Sequence, residues 1–423
     1  MEKINPPRGT ADLLPAEKAR HNLVVNLARQ VAARYGFADM ATPIFEFTEV
    51  FSRPLGASSD VVSKETYSLE DRGGASLTLR PEGTASVMRA LLSAGLTQQL
   101  PQKFFYSGPM FRYERPQKGR RRQFHQVGAE LIGPGGPLAD AEIIACGAAL
   151  LSALGVADSC VLHLNSLGDS QSRQAYRTAL LAYLEKYRSD LSADSQRRLT
   201  SNPLRILDSK DPSDRAIVAE APLLAEHLTD PSRRHFDQLC SALDAASISW
   251  QMDHRLVRGL DYYCHTAFEF ITDALGAQGT VLGGGRYDGL SEMLGGPPLP
   301  AVGFAAGVER LALLAAEPET QPVDLAIIAA DEESLTACFA MAVACRAAGL
   351  VVDLPLSGNM SKKMKRANQA GVRQALIIGA TELQAGTGQL RDMQSGAQQE
   401  ISLQQLPDCL SGLIISGPIT RKP

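Results

Sequence analysis

Apolar positions recur at helical spacing early in the chain. Leu23, Leu27 and Val31 fall at i, i+4 and i+8, which predicts a helix running to about Tyr35 with Gly36 at its end. The segment 42–46 (TPIFE) then reads as extended, and Pro43 assigns it to an edge strand or an interface. Alternation predicts a strand from Ser76 that stops at Pro81, leaving Glu82 and Thr84 just past its end, where site residues often sit. Residues 104–130 (FFYSGPMFRYERPQKGRRRQFHQVGAE) predict a strand to Glu114, a basic loop turned at Pro116 and Gly119, and a returning strand. A helix of small apolar residues follows over 138–154, then a short strand over 160–164.

From about 166 to 247 the pattern changes to amphipathic helices with charges of both signs and few aromatics, as in an inserted module. Sheet character returns at Ile248. In 256–272 (LVRGLDYYCHTAFEFIT), Arg258 precedes a tight turn at Gly259 and a strand carrying Tyr262 and Tyr263. The stretch 283–290 (GGGRYDGL) permits close backbone approach but lacks the spacing of a dinucleotide-binding fingerprint. Residues 301–314 (AVGFAAGVERLALL) pass from a strand into a helix, with Arg310 near its first turn. The clearest linker is 315–322 (AAEPETQP). Beyond it, strands and helices alternate, which predicts a separate α/β unit with a mostly parallel sheet. Lys362, Lys363, Lys365, Arg366 and Arg373 cluster on one helix there; a solvated face is the first reading and an RNA contact the second.

The hairpin carries the chemistry. Side chains two apart share a strand face, grouping Met110, Arg112 and Glu114 on one arm and Arg122, Phe124, Gln126, Gly128 and Glu130 on the other. A cation, a flat aromatic ring, an amide and a carboxylate make a poor core and a good floor for a charged, planar ligand. Between Arg112 and Arg122 six cations face one anion, Glu114. Guanidinium forks suit phosphate, and a purine can stack on Phe124 beneath an arginine. A solvated hairpin explains the outer cations but not Phe124, Gln126 and Glu130 in register behind them. Glu82 serves equally well as a helix cap or a ligand contact. Arg310 at a helix N-terminus offers a phosphate seat. Cys264 and His265 are strand neighbours on opposite faces, so a shared metal or nucleophile role is discounted.

Composition adds bounds. With 423 residues, 44% hydrophobic and 21% charged, the chain suits two or three soluble globular domains. A net charge of −4 leaves any polyanion to local patches. The seven cysteines are scattered and form no C-x-x-C, which argues for a reducing compartment without a disulfide framework or zinc site. The opening MEKINPPRGT has no apolar stretch like that of a signal peptide, and no apolar run is long enough to span a bilayer. A cytoplasmic protein is expected, with no membrane partner.

Taken together, these segments resemble the histidyl-tRNA synthetase family of class II aminoacyl-tRNA synthetases, across essentially the whole chain. FRYERPQKGRRRQFHQVGAE resembles the second class motif, AVGFAAGVERL the third, and the first helix with the Pro43 segment the first. LVRGLDYY and GGGRYDGL match the histidine-specific pair, and TLRPEGT and NPLRILDSKD match the same family. The resemblance implies an α/β protein whose α+β catalytic core, residues 1–165 and 248–316, is a mostly antiparallel mixed sheet flanked by helices. It implies a helical insertion at 166–247, an anticodon-binding domain at 322–423 and a homodimer. The implied substrates are histidine, ATP and tRNA(His), with Mg2+ held mainly by ATP phosphates and no dedicated protein metal site.

Residue by residue, the resemblance implies Glu82, Thr84 and Gln126 at the α-ammonium, and Glu130 and Tyr263 at the imidazole with Tyr262 beside them. Arg112 and Arg258 would be catalytic, at the α-phosphate and carboxylate. Glu114, Arg120, Phe124 and Arg310 would join Arg112 around ATP; Gln117, Lys118 and Arg122 would meet tRNA. Two positions depart from the family: Arg121 replaces a more usual aromatic, and Cys264-His265 a commoner Asn-Arg pair. Two rivals are a catalytically dead paralogue resembling the regulatory subunit of ATP phosphoribosyltransferase, against which Arg112, Arg258, Arg310 and the domain after Pro322 argue, and a class II enzyme for another amino acid, against which Glu130 and LVRGLDYY argue.

Overall fold

The computed structural model describes residues 3–55, 65–116, 119–201, 203–207, 209, 211–256, 262–318 and 323–405. The chain forms two compact units, Met1–Pro318 and Glu319–Pro423.

The first unit opens with α1 (Pro15–Arg34), started by a proline in its first turn. Its buried face is His21, Val24, Ala28, Val31 and Ala32. That stripe is rotated from the one expected, because Leu23 and Leu27 are only partly buried. β1 (Ala38–Met40) and β2 (Phe45–Phe47) follow, then α2 (Glu49–Leu55), β3 (Tyr67–Glu70), β4 (Ser76–Leu79) and α3 (Thr84–Ser93). β2, β4 and β3 make a small antiparallel sheet with β2 at its edge. The hairpin is β5 (Gln102–Phe111) and β6 (Gln123–Ile132). Its first strand ends at Phe111, so Arg112, Glu114 and Arg122 sit in the connection, where a period of two no longer assigns a face.

α4 (Pro137–Ala153) and β7 (Val161–Ser166) lead into a helical stretch: α5 (Ser170–Leu184), α6 (Ala193–Ser201), α7 (Pro212–Ala219) and α8 (Asp230–Ala245). Its apolar cluster includes Tyr176, Leu180, Leu184 and Leu199. The sheet resumes with β8 (Gln251–Met252), β9 (Cys264–Ile271) and β10 (Thr280–Arg286), then α9 (Leu290–Met293), β11 (Ala301–Gly307) and α10 (Val308–Leu314). Tyr262 and Tyr263 therefore precede their strand rather than lie in it. The eight-stranded sheet runs β1-β5-β6-β11-β10-β9-β7-β8. Its six inner strands pair antiparallel and only the short outer strands β1 and β8 pair parallel. α1, α4 and α8 contribute to the core cluster on one face, and the other face holds the site.

The second unit contains β12 (Leu325–Ala329), α11 (Leu335–Ala347), β13 (Val352–Asp353), α12 (Met360–Gln369), β14 (Gln374–Ile378), α13 (Ala380–Ala385), β15 (Thr387–Asp392) and β16 (Gln398–Ser402). β13, β12 and β14 are parallel, but β15 and β16 extend the sheet antiparallel, making it mixed. Their sequences TGQLRD and QQEIS hold too few apolar residues to stand out as strands. Four of the five clustered cations lie on α12; Arg373 falls beyond its end.

Candidate active site

Hairpin pairing sets Met110 opposite Phe124, Gly108 opposite Gln126 and Phe104 opposite Glu130. Just past β5, the Arg112 guanidinium lies 5.2 Å from the Phe124 ring centroid. Its Nε donates to the Pro81 carbonyl at 2.9 Å, which fixes the plane of the fork. The two line a cleft of about 320 Å³ with Glu114, Arg120, Gln126, Glu269 and Arg310. Arg120 pairs with Glu114. Arg310 donates to the Thr280 carbonyl at 2.5 Å, and Thr280 donates to Glu269 at 2.8 Å. Burial pulls the Arg310 pKa down, and the neighbouring charges of Arg120 and Arg112 pull it the same way. Cations crowded until they strain one another suit a ligand carrying several negative charges.

Four residues beyond Gln126, on the same face of β6, Glu130 is fully buried. Its carboxyl accepts from the Thr84 hydroxyl at 2.7 Å and from the Tyr287 hydroxyl. Burial pushes its pKa up to about 8 against those donors. Gly303 faces it across β6 and β11, and a Cβ there would lie 1.6 Å from Glu130 Oε2. Only glycine leaves room for the carboxylate. Tyr106 is clamped likewise: a Cβ at Gly83 or Gly128 would come within 2.2 or 2.3 Å of its ring. Glu82 caps α3, accepting from the Thr84 amide at 2.5 Å and the Ala85 amide at 3.0 Å, and burial raises its pKa. Tyr262, Tyr263 and Tyr287 pack with ring centroids 4.9 to 6.3 Å apart. Among the described residues, the Tyr262 hydroxyl and Gln126 Oε1 are buried without a hydrogen-bond partner. Unspent polar atoms beside a buried carboxyl can take the donors and acceptors of a small polar ligand.

Arg112, Glu114, Arg120, Phe124, Gln126 and Arg310 thus come together in one cleft, and Glu82, Thr84, Glu130, Tyr262 and Tyr263 lie in one buried cluster around Glu130. Arg122 turns away: its guanidinium lies 3.8 Å from the Tyr113 centroid and its chain packs against Gly9. Arg258, Gln117 and Lys118 lie outside the described residues. Sequence reasoning passed over Tyr106, Tyr287, Gly303 and Glu269. Tyr106 was within reach, since it shares the strand face of Phe104; the other three need pairings between distant segments.

His125 and Glu309 brace the cleft from behind. Glu309 accepts the His125 amide at 3.0 and 2.9 Å and meets its Nδ1 at 2.8 Å, tying β6 to α10. His21 packs edge-on at 4.5 Å, and one ligand atom from each of the three residues falls within 4.8 Å of the others. Arg286 is fully buried and pairs with Asp140 at 2.5 Å. Asp140 also takes Thr266 at 2.5 Å and His235 at 2.7 Å, joining β10, α4, β9 and α8.

Among the described residues that line the cleft there is no serine or cysteine to act as a nucleophile. An antiparallel sheet, a hairpin arginine over a phenylalanine and a strand-to-helix arginine at the far end define the class: a class II aminoacyl-tRNA synthetase. The Histidyl-tRNA synthetase family model matches residues 9–311, and the Anticodon binding domain model matches 324–413. The histidine--tRNA ligase of Rhodospirillum rubrum is 55% identical over 412 residues, 97% of this chain and 99% of that one. That of Gluconacetobacter diazotrophicus is 54% identical over 413 residues, 98% of this chain and all of its own. The crystal structure of apo S. aureus histidyl-tRNA synthetase superposes with a TM-score of 0.81 at 32% identity, covering 96% of this chain and 99% of that chain. The chain belongs to the histidyl-tRNA synthetase family.

Proposed function

We propose that the cleft binds ATP through Arg112, Glu114, Arg120, Phe124 and Arg310, and that the buried end binds histidine through Glu82, Thr84, Gln126, Glu130, Tyr262 and Tyr263. The overall reaction is ATP-dependent attachment of histidine to tRNA(His) through histidyl-adenylate, with release of AMP and diphosphate. The observation that carries the assignment is adjacency along β6: Phe124 and Gln126 line the arginine-rich cleft, and Glu130, on the same strand face, lies buried among tyrosines.

The geometry suits adenylation. The histidine carboxylate attacks the α-phosphorus and diphosphate leaves, so the protein needs no nucleophile; it needs alignment and cations where charge builds. Adenine stacks on Phe124, and Arg310 meets the far phosphates. Arg112 serves the reacting phosphate, as does Arg258, whose role rests on the family motif LVRGLDYY. Glu130 and the Tyr263 hydroxyl face the two imidazole nitrogens, while Gln126 Oε1, Thr84 and Glu82 take the α-ammonium. The carboxylate oxygens of Glu114 and Glu269 among the cleft arginines are hard donors of the kind Mg2+ accepts. That ion would share phosphate charge, held mainly by ATP.

Gln117, Lys118 and Arg122 are assigned to tRNA, the residues after the linker to the anticodon, and 166–247 to an insertion in a catalytic core of 1–165 and 248–316. A homodimer is supported by the open face of the small sheet, where Phe45 and Phe47 are 55% and 64% exposed. A cytoplasmic location suits the unpaired cysteines described, and among the described residues no helix is long and apolar enough to cross a membrane.

The test is pyrophosphate exchange with each amino acid in turn on the parent and Glu130→Ala. Exchange should be confined to histidine. The variant should lose histidine use while keeping ATP affinity; a site built for one polar side chain rejects others by roughly 10⁴–10⁵. Unchanged histidine KM and kcat would sink the assignment. Absence of exchange in the parent would favour the regulatory paralogue, and exchange with another amino acid the other synthetase.

A further inference from the structure

The helical stretch that follows β7 reaches the histidine end of the site through one side chain. Arg173, in the first turn of α5, donates from Nη1 to the backbone carbonyl of Tyr263 at 3.0 Å. That turn is held by an interlocked pair of helix caps. Asp169 accepts the Ser172 amide at 2.7 Å with one oxygen and the Thr229 hydroxyl at 2.6 Å with the other. In return Ser172 Oγ accepts the Thr229 amide at 2.9 Å, and Ser232 Oγ accepts the Asp169 amide at 3.1 Å. Ser172 and Ser232 are fully buried, so the starts of α5 and α8 are locked together beneath the sheet.

Tyr263 is held from two sides. Its ring lies against Gly285, where a Cβ would come 2.9 Å from Cδ1, and between Tyr262 and Tyr287. The chain after it is pinned where the His265 amide donates to the Gly168 carbonyl at 2.9 Å and the Leu167 amide donates to the His265 carbonyl at 2.5 Å. His265 takes the left-handed conformation there, at φ 45°, unusual for a residue with a side chain. Packing fixes the plane of the Tyr263 ring, while Arg173 fixes the peptide from which the side chain departs.

We propose that Arg173 is a positioning residue for histidine recognition: its bond to the Tyr263 carbonyl sets where the Tyr263 hydroxyl meets the imidazole. The inference rests on the reading of Tyr263 as an imidazole contact. It makes the lock between α5 and α8 part of amino-acid selection, although neither helix lines the cleft.

The experiment is pyrophosphate exchange on Arg173→Ala, Arg173→Lys, Tyr263→Phe and the double variant Arg173→Ala/Tyr263→Phe, with thermal melts on each. Losing a charge-assisted bond of this kind should raise the histidine KM of Arg173→Ala on the order of tenfold and leave the ATP KM within about twofold. Arg173→Lys should recover part, since an ammonium reaches the carbonyl without the planar fork. In the Tyr263→Phe background the alanine should add little, because the hydroxyl it positions is gone. Independent, multiplying costs overturn the inference. So does an Arg173→Ala protein with normal histidine KM and fewer active sites, which marks a folding brace. If Tyr263→Phe alone binds histidine as the parent does, the reading of Tyr263 fails first and the inference falls with it.

Discussion

Two buried side chains give the protein opposing responses to pH. Burial raises Glu130 to about 8, while an unfolded glutamate ionises near about 4.3. Between those values the folded chain holds a proton that the unfolded chain has lost, so this group's contribution to stability falls as pH rises. Burial, then the charges of His125 and Lys18, lower His21 to about 4, against about 6.5 when unfolded. There the unfolded chain holds the extra proton, so stability is lost as pH falls from about 6.5 to about 4. Melts of Glu130→Gln should therefore gain on the parent steadily from pH 5 to pH 8, and His21→Met should gain most near pH 5. Flat differences across that range would contradict both environments. At Gly303 the matter is space. Alanine would push the Glu130 carboxylate aside, and a misplacement of about 1 Å typically costs about 10²-fold in rate. Histidine-dependent exchange by Gly303→Ala should fall by that order, while equilibrium dialysis finds ATP binding retained.

Elements depend on polar joints as much as on apolar faces. The Arg286–Asp140 pair joins β10 to α4, and Asp140 brings in β9 through Thr266 and α8 through His235. Removing one partner of a buried pair strands the other, so Arg286→Met should lower unfolding stability by about 3–5 kcal/mol, seen as an earlier urea midpoint. No local pattern announces such a joint. What the sequence displays is local: the hairpin shows as two extended arms with a basic turn, and Phe124, Gln126 and Glu130 share a face by simple alternation. Gly303 and Tyr287 reach Glu130 only through the β6–β11 pairing and the chain that follows β10, which no window of sequence contains. The buried stripe of α1 departs from the hydropathy pattern because a histidine, His21, occupies a core-facing position. Arg122 leaves the face of Phe124 because β6 begins only at Gln123, and alternation does not extend beyond the strand.

For the whole molecule, the division at Pro318 separates the proposed chemistry from the proposed tRNA contact. A chain ending at Pro318 should form histidyl-adenylate at near-parental rate, measured by exchange, and should charge tRNA far more slowly. Intact charging would require another role for residues 319–423. The strand order carries a different consequence. β6 finishes early in the chain, yet its far neighbour is β11, so during synthesis its bonding edge emerges from the ribosome long before its partner exists. Pairings of such sequence range close slowly and leave strand edges open to other chains. The nascent chain should therefore lean on chaperones until β11 is out, and ribosomes stalled before residue 301 should carry a first unit that proteases still cut.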